Sequence, residues 1–492
     1  MPPALPTIEW GPTLPMILLA ATGVMVVLAD LVVNRRAPLL SLLIAILGMG
    51  GALLAVVYGV SEDARAFGQF VRYDFIGRWG AMIALAGGCL VALISPKTIR
   101  DHDLPAAEYF ALLVFGVLGM VVLCVSVELF TIFLSVELIA LTIYILSGLA
   151  RQSTRSTEAS MKYFVLGAFS GGFMIFGFVF LYGGAGGRST LGQIGLSIMQ
   201  MDSPWEMGCL VFGLALALAG FAFKLAAAPF HLYAADVFEG APTPVAALLA
   251  TGSKVAGFVA LIHLLAPLHE HLTEAVQAFA ADAGGLLWFL AALSIVVGNA
   301  VALLQRNVKR MLAYSSIAHS GYLLIGAVVF VEGSVTLAEI ETAILIYLIA
   351  YVLMKVVAFG VAAGLGTRGE GDVEAYAGLA QQSPWLAAAM AVAMLSLTGI
   401  PGTAGFVGKF YVFARAVESH YVILVVLAVL GSVVSAYYYL RVIVYMYMRD
   451  PAEPAALEPL GIVQGLGLLL ASVPIVIVGL FPQLLLVLLT SI

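Results

Sequence analysis

Residues 395–413, LSLTGIPGTAGFVGKFYVF, decide how this chain is read. The stretch is apolar enough for a membrane helix, yet Pro401 interrupts it: proline has no N–H, so the carbonyl of Leu397 loses its helical partner. Lys409 follows within the same segment. A lysine at the bilayer centre costs ~2.5–3.5 kcal/mol even on the lenient insertion scale. A broken helix carrying a buried amine is stable only where it faces protein or a wet cavity. The same pairing occurs earlier, in FKLAAAPFHLYAADVF (223–238), where Pro229 takes the partner of the Leu225 carbonyl beside Lys224.

Working outward, the composition agrees. The 492 residues are 62% hydrophobic and 10% charged, with mean hydropathy +1.08. Soluble domains are about a quarter charged, so a water-soluble multidomain enzyme is excluded. The apolar residues come in blocks long enough to span a bilayer, and the net charge of −6 leaves no basic footprint for nucleic acid. Cys89, Cys124 and Cys209 form no CxxC pattern and read as small packing residues, not as cluster, zinc or disulfide ligands. No HExxH, GxSxG, Walker or dinucleotide glycine motif stands in a fitting context, so no cofactor is expected in this chain. The opening MPPALPTIEW lacks the basic residues of a cleavable signal, and the first apolar block is expected to remain as a helix.

Hydropathy predicts an all-α, polytopic membrane protein of about 14 transmembrane helices. Helices 7 (about 207–238) and 12 (about 385–418) are the broken ones, and helices 8, 9 and 14 fall at about 244–267, 284–305 and 460–490. Four segments follow: an N-terminal three-helix segment over 1–104, five-helix units over 105–268 and 284–450, and a last helix in 451–492. The sequences around Lys224 and Lys409 can be overlaid with Gly220 on Gly399, a faint internal likeness that fits repeated units. All five tryptophans (Trp10, Trp79, Trp205, Trp288, Trp385) fall at predicted helix ends, as an interfacial belt requires.

Sorting the 22 basic residues by alternating loop puts 13 on one face, among them Arg35, Arg36, Lys97, Arg155, Lys309 and Arg310. Five lie on the other: Arg65, Arg72, Arg78, Arg188 and Arg415. The richer face is expected to be cytoplasmic, with both termini outside.

Four lysines belong to neither face: Lys224, Lys254, Lys355 and Lys409 lie within spans. Desolvation lowers a lysine's proton affinity, so such amines can lose and regain protons, which an arginine cannot do. Structural ion pairs are the competing reading, weakened by the scarcity of acids at the same depth. Glu137, in FLSVELIALTIYILSGL, is the clearest of these and a candidate partner for Lys224, whereas Glu128 reads as a solvated helix end. His231, after the first break, and His319, in AYSSIAHSGYLLIG, read equally as proton relays or as hydrogen-bonded packing residues. His102, His263, His269, His271 and His420 lie near span ends and are expected to be solvated.

The blocks FKLAAAPFHLYAADVFEGAPTPVAALLATGSKVAGF (223–258), VKRMLAYSSIAHSGYLLIG (308–326) and GIPGTAGFVGKFYVF (399–413) resemble the antiporter-like subunits of respiratory complex I. MKYFVLGAF (161–169) and the lysine at 409, where the M branch of that family has glutamate, are similar to its N branch. The resemblance implies two inverted five-helix repeats, each half of a proton channel. It implies a modulating pair in Glu137 and Lys224, a central relay in Lys254 and a terminal lysine in Lys409. Lys355 departs from the family pattern, which has an uncharged residue there, and either extends the relay or fills a structural role. The implied function is proton translocation in the membrane arm of an NADH:quinone oxidoreductase, driven by electron transfer elsewhere. The implied partners are small K-type and antiporter-like M-type subunits and lipid, with FMN and iron–sulfur clusters held by other subunits. The implied location is the bacterial inner membrane. A subunit of a multisubunit cation/proton antiporter, or of a membrane-bound hydrogenase-type complex, is the alternative. A non-conducting scaffold is the third reading, disfavoured because leucine would serve it at lower cost than lysine.

Overall fold

A computed structural model describes residues 9–33, 38–200, 203–269, 274–450 and 458–491. Arg35, Arg36 and His271 lie outside the described residues. Thirteen described helices are long and apolar enough to cross a membrane. The expected twelfth span is absent from that number because it is two short helices, Pro384–Thr398 and Ala404–Glu418. The exterior is apolar, with Leu47, Ile423 and Val433 among many exposed aliphatic side chains, while buried Ser, Tyr, His and Lys line the interior. That is the inverse of a soluble protein and suits a lipid surround.

Local chemistry explains the interruptions. The helix Pro204–Lys224 ends at the lysine, and the chain resumes as Ala234–Gly240. Around Pro401, Gly399 takes φ +89° to close the Pro384–Thr398 helix, a conformation only glycine adopts freely. A Cβ there would stand 3.2 Å from the Lys409 amine, so the glycine also makes room for it. The eighth span, expected to be continuous, is interrupted at Thr251 between Thr243–Ala250 and Gly252–Leu265. Thr251 and Ser253 turn their hydroxyls back onto the Ala247 and Leu249 carbonyls, 2.7 Å each. Such back-bonding competes with the regular ladder. The last span likewise divides at Phe481 into Ile462–Leu480 and Pro482–Ser491.

Other expectations need correction. The ninth span begins at Glu274, not near 284, which puts Trp288 inside its helix and not at an end. Trp79 is buried at 6% exposure, whereas Trp10 and Trp205 are exposed as interfacial residues should be. A short antiparallel hairpin (Ala64–Ala66 with Val71–Tyr73) and a nine-residue helix, Leu191–Met199, lie between spans where only loops were expected.

Ion pairs between distant loops support the sorting of charges onto two faces. On the basic-rich face Asp236 joins Lys162 (2.6 Å) and Arg310 (2.8 Å), and Glu458 joins Lys97 (3.1 Å) and Arg100 (2.6 Å). On the other face Arg415 pairs with Glu339 (3.2 Å), and Tyr73 of the hairpin donates to the Pro12 carbonyl (3.0 Å).

Candidate functional site

The first lysine stands apart from the others. Lys224 Nζ and Glu137 Oε1 are both buried, and neither has a hydrogen-bond partner. The sequence pairs them, but the structure does not put them in direct contact. Their shared neighbour is Tyr144: Lys224 Nζ lies 6.0 Å from its ring centroid, and its hydroxyl is also unpartnered. Two glycines of the Thr154–Gly184 helix seat this group. A Cβ at Gly171 would come within 2.7 Å of Glu137 Oε1, and one at Gly167 would strike the Tyr144 hydroxyl. A cavity of ≈ 10 Å³, lined by Lys224, Tyr163, Phe221 and Ser253, opens beside the amine. That is about the space one water needs. An ammonium without protein acceptors at this depth is costly, so a water in that cavity, or loss of the proton, stabilises the site.

The break at Pro229 connects to the second lysine. The freed Leu225 carbonyl accepts from Ser320 Oγ at 2.6 Å. That hydroxyl has spent its only proton, so its lone pairs accept from Lys254 Nζ, also at 2.6 Å. Lys254 Nζ donates as well to the Ser316 carbonyl. The amine is 2% exposed and stands 5.7 Å from the centroid of Tyr351.

Tyr351 is shared. Lys355 Nζ lies 5.8 Å from the same ring, and the phenol hydrogen-bonds Ser316 Oγ at 2.6 Å. One aromatic quadrupole therefore serves two amines, a favourable contact for each only while it carries charge. Lys355, fully buried, donates to the Leu312 carbonyl and to Ser315 Oγ, both at 2.8 Å. Ser315 continues to the Tyr439 hydroxyl, which reaches His319 Nε2 at 3.4 Å. The far side of that imidazole, Nδ1, meets the Tyr347 hydroxyl at 2.7 Å. His319 thus stands within a chain of hydroxyls, and Lys355 begins it.

At the second break the geometry is direct. Lys409 Nζ donates to the Leu397 carbonyl (3.1 Å), the Thr398 carbonyl (2.9 Å) and Ser432 Oγ (3.1 Å). These three acceptors saturate an ammonium. Tyr322 lies below it, 5.1 Å from centroid to amine, and meets Asn299 (3.0 Å), which in turn accepts from Tyr438 (3.0 Å).

His231 is not brought into this row. Its Nδ1 has no partner, and its ring faces Tyr314 at 6.3 Å. Glu128 is not the solvated end residue its position suggested: at 4% exposure it caps the Leu129–Ser147 helix, accepting from the Thr131 N–H at 2.7 Å. Lys309, sorted to a surface loop, is buried at 1% exposure against the Ala241 carbonyl (2.8 Å) and Glu370 (3.7 Å). The sequence reading missed Tyr351, Tyr439, Tyr347, Ser316 and Ser320. Their only signal was polarity inside apolar helices, which hydropathy averages away. Among the described residues no group of three or more His, Cys, Asp and Glu is placed to hold a metal.

Residues 126–435 match the family model described as NADH:quinone oxidoreductase/Mrp antiporter, transmembrane. The chain is 40% identical over 449 residues to NADH-quinone oxidoreductase subunit N of Trichlorobacter lovleyi, covering 91% of this chain and 89% of that one. It is 36% identical to subunit N of Myxococcus xanthus, with 98% and 96% covered. Among solved structures, a chain of respiratory complex I from Thermus thermophilus superposes with TM-score 0.80 at 32% identity, covering 96% of this chain and 98% of that chain. A chain of the Mrp complex from Dietzia shares the fold at TM-score 0.78 and 18% identity, with 98% and 96% covered.

Proposed function

The chain belongs to the NADH:quinone oxidoreductase/Mrp antiporter transmembrane family, and from that premise we propose that it is the N-type, proton-translocating subunit of a complex I membrane arm. The observation that carries this reading is the set of four buried amines, three of them hydrogen-bonded to serine hydroxyls and backbone carbonyls at membrane depth. In this reading Glu137 and Lys224 modulate one another across Tyr144, Lys254 and Lys355 share a relay around Tyr351, and His319 leads toward Lys409. His231 is a reserve relay near the first break. The repeats are the segments 105–268 and 284–450, with 1–104 and 451–492 flanking them.

No redox step occurs on this chain. Flavin and iron–sulfur chemistry belongs to partner subunits, and K-type and M-type subunits are its neighbours in the arm. The basic-rich face is cytoplasmic and both termini face the periplasm, in a bacterial inner membrane.

The test is proton translocation by the assembled complex in vesicles. Lys224→Ala should lower coupled turnover and the proton-to-electron ratio. A normal ratio in an assembled complex removes Lys224 from the path. Tags at either terminus should be reachable from outside intact cells, and protection of both would invert the orientation.

A further inference from the structure

The lysine row needs a place where protons meet water, and one group of titratable side chains lies apart from it on the face that carries Arg65, Arg72 and Arg415. His263, near the end of the Gly252–Leu265 helix, was expected to be solvated but is 4% exposed. Its Nε2 lies 3.1 Å from Asp74 Oδ1, while its Nδ1 is buried with no partner. Asp74 caps the Phe75–Ile94 helix, accepting from the Gly77 N–H at 3.0 Å. A Cβ at Gly77 would come within 2.8 Å of that carboxylate and 3.3 Å of the imidazole, so the glycine leaves the pair its space.

The pair borders an open cavity of ≈ 480 Å³ lined by Arg65, Arg72, Asp74, His263 and His269. Glu341, on the Leu337–Gly364 helix that also carries Lys355, is 9% exposed and near enough to interact with both Asp74 and His263. The remaining groups near the pair are Arg72 and Tyr73 of the hairpin and Cys124 of the Ala106–Val125 helix. Burial pushes the Asp74 carboxyl up, but His263, the Gly77 N–H and Arg72 outweigh it and hold it below its ordinary value.

We propose that Asp74 and His263, with Glu341, form a proton port on this face, where protons moved by the buried lysines exchange with the water of the cavity. The proposal rests on the proton-moving reading above. The two ring nitrogens have the asymmetry such a step needs, one held by a carboxylate at the cavity and the other free and buried. The imidazole takes a proton on Nδ1 and gives the one on Nε2 to the Asp74 carboxylate, from which water removes it. One proton crosses the ring, the net charge is unchanged, and the imidazole is left as its Nδ1–H tautomer, which returns to the Nε2–H form by proton exchange with water. His263 lies ~13 Å along its helix from Lys254 by the helical rise, and the residues between them, from Val255 to Ile262, are apolar. A dry interval suits a pump, because an unbroken hydrogen-bonded wire would let protons run back; water would have to enter it for each transfer.

The experiment uses the assembled complex in proteoliposomes, with the proton-to-electron ratio as readout. His263→Gln keeps a hydrogen bond to Asp74 but cannot pass a proton, and it should lose the same share of the ratio as Lys409→Leu. His263→Ala opens a hole beside the cavity, so imidazole added on the side the cavity faces should restore pumping; Asp74→Asn, which keeps the shape of the cap, should not respond to imidazole. A wild-type ratio in His263→Gln alongside a reduced ratio in Lys409→Leu overturns the port and leaves the lysine path. Loss in His263→Gln with no rescue of His263→Ala by imidazole also overturns it, since the residue is then structural. Normal ratios in both Lys409→Leu and Lys224→Ala overturn the lysine path itself.

Discussion

Lys409 Nζ donates to the Leu397 carbonyl at 3.1 Å, the same carbonyl that Pro401 deprives of its helical partner. The amine that interrupts the apolar segment and the break that disrupts its helix are therefore one feature. The first break is arranged otherwise. There Ser320 caps the orphaned Leu225 carbonyl, and Lys254 binds that serine from behind. Lys224, adjacent in sequence to that carbonyl, is left without an acceptor.

This changes what a substitution at 409 should do. Glutamate keeps a titratable group but, when ionised, presents oxygen to the Leu397 and Thr398 carbonyls, so Lys409→Glu should assemble less well than its proton chemistry alone suggests. Lys409→Arg keeps the donors and removes the exchangeable proton. It should assemble normally and lose translocation. Lys409→Leu should still assemble but lose translocation and thermal stability, since each unsatisfied carbonyl costs ~1–3 kcal/mol. Proton-to-electron ratio and thermal stability, measured on all three, separate the two roles; a pumping Lys409→Arg complex refutes the exchange role.

Tyr351 offers a graded test. Tyr351→Phe removes the hydrogen bond to Ser316 but keeps the ring, at a net cost of ~0.5–1.5 kcal/mol. Tyr351→Leu removes the ring from both Lys254 and Lys355, where a desolvated cation–π contact is worth ~2 kcal/mol. Turnover should fall little in the first and steeply in the second. Equal turnover in the two variants would show that the ring does not couple the amines.

Gly171→Ala tests Glu137 without altering any titratable group. The added methyl would stand 2.7 Å from Glu137 Oε1 and must displace the carboxylate. Coupled turnover should drop toward that of Glu137→Gln, and the double variant should be no worse than Glu137→Gln alone. Additive losses would mean that Gly171 acts through helix packing.

At the basic-rich face His102 and Glu370 pair at 3.4 Å. The hydrogen bond and charge of Glu370 outweigh burial and raise the affinity of His102 for its proton. Burial raises the Glu370 carboxyl, but His102 and Lys309 outweigh it and hold it low. A raised histidine contributes stability fully below its unfolded value of about 6.5, lost as pH rises through the higher folded value. A depressed carboxylate contributes above its unfolded value of about 4.3, lost as pH falls through the folded one. The stability difference between wild type and His102→Gln should therefore be largest at about pH 5–6.5 and fade at alkaline pH. A difference that grows with pH would contradict the pairing.

Much of this was legible in one dimension because a bilayer imposes one-dimensional rules. An apolar block of some twenty residues must be a helix that satisfies its own backbone, proline must break it, and a lysine inside it must face protein. Those rules place Lys224, Lys254, Lys355 and Lys409 in the interior and mark the breaks at Pro229 and Pro401. The division at Thr251 was hidden because hydroxyl back-bonding leaves no proline-like mark.

What joins the four amines was decided only by tertiary structure. Leu225 and Ser320, Lys355 and Ser315, and His319 and Tyr347 meet across helix pairs far apart in the chain. A serine or tyrosine inside an apolar helix reads the same whether it faces a lysine or packs quietly. Its role depends on helix rotation and neighbour choice, which are set by close packing of small residues such as Gly167 and Gly171 and not by hydropathy. The separation of Glu137 from Lys224 and the burial of His263 follow from that same packing. Sequence supplied the charged groups and their depth; the arrangement of helices supplied their partners.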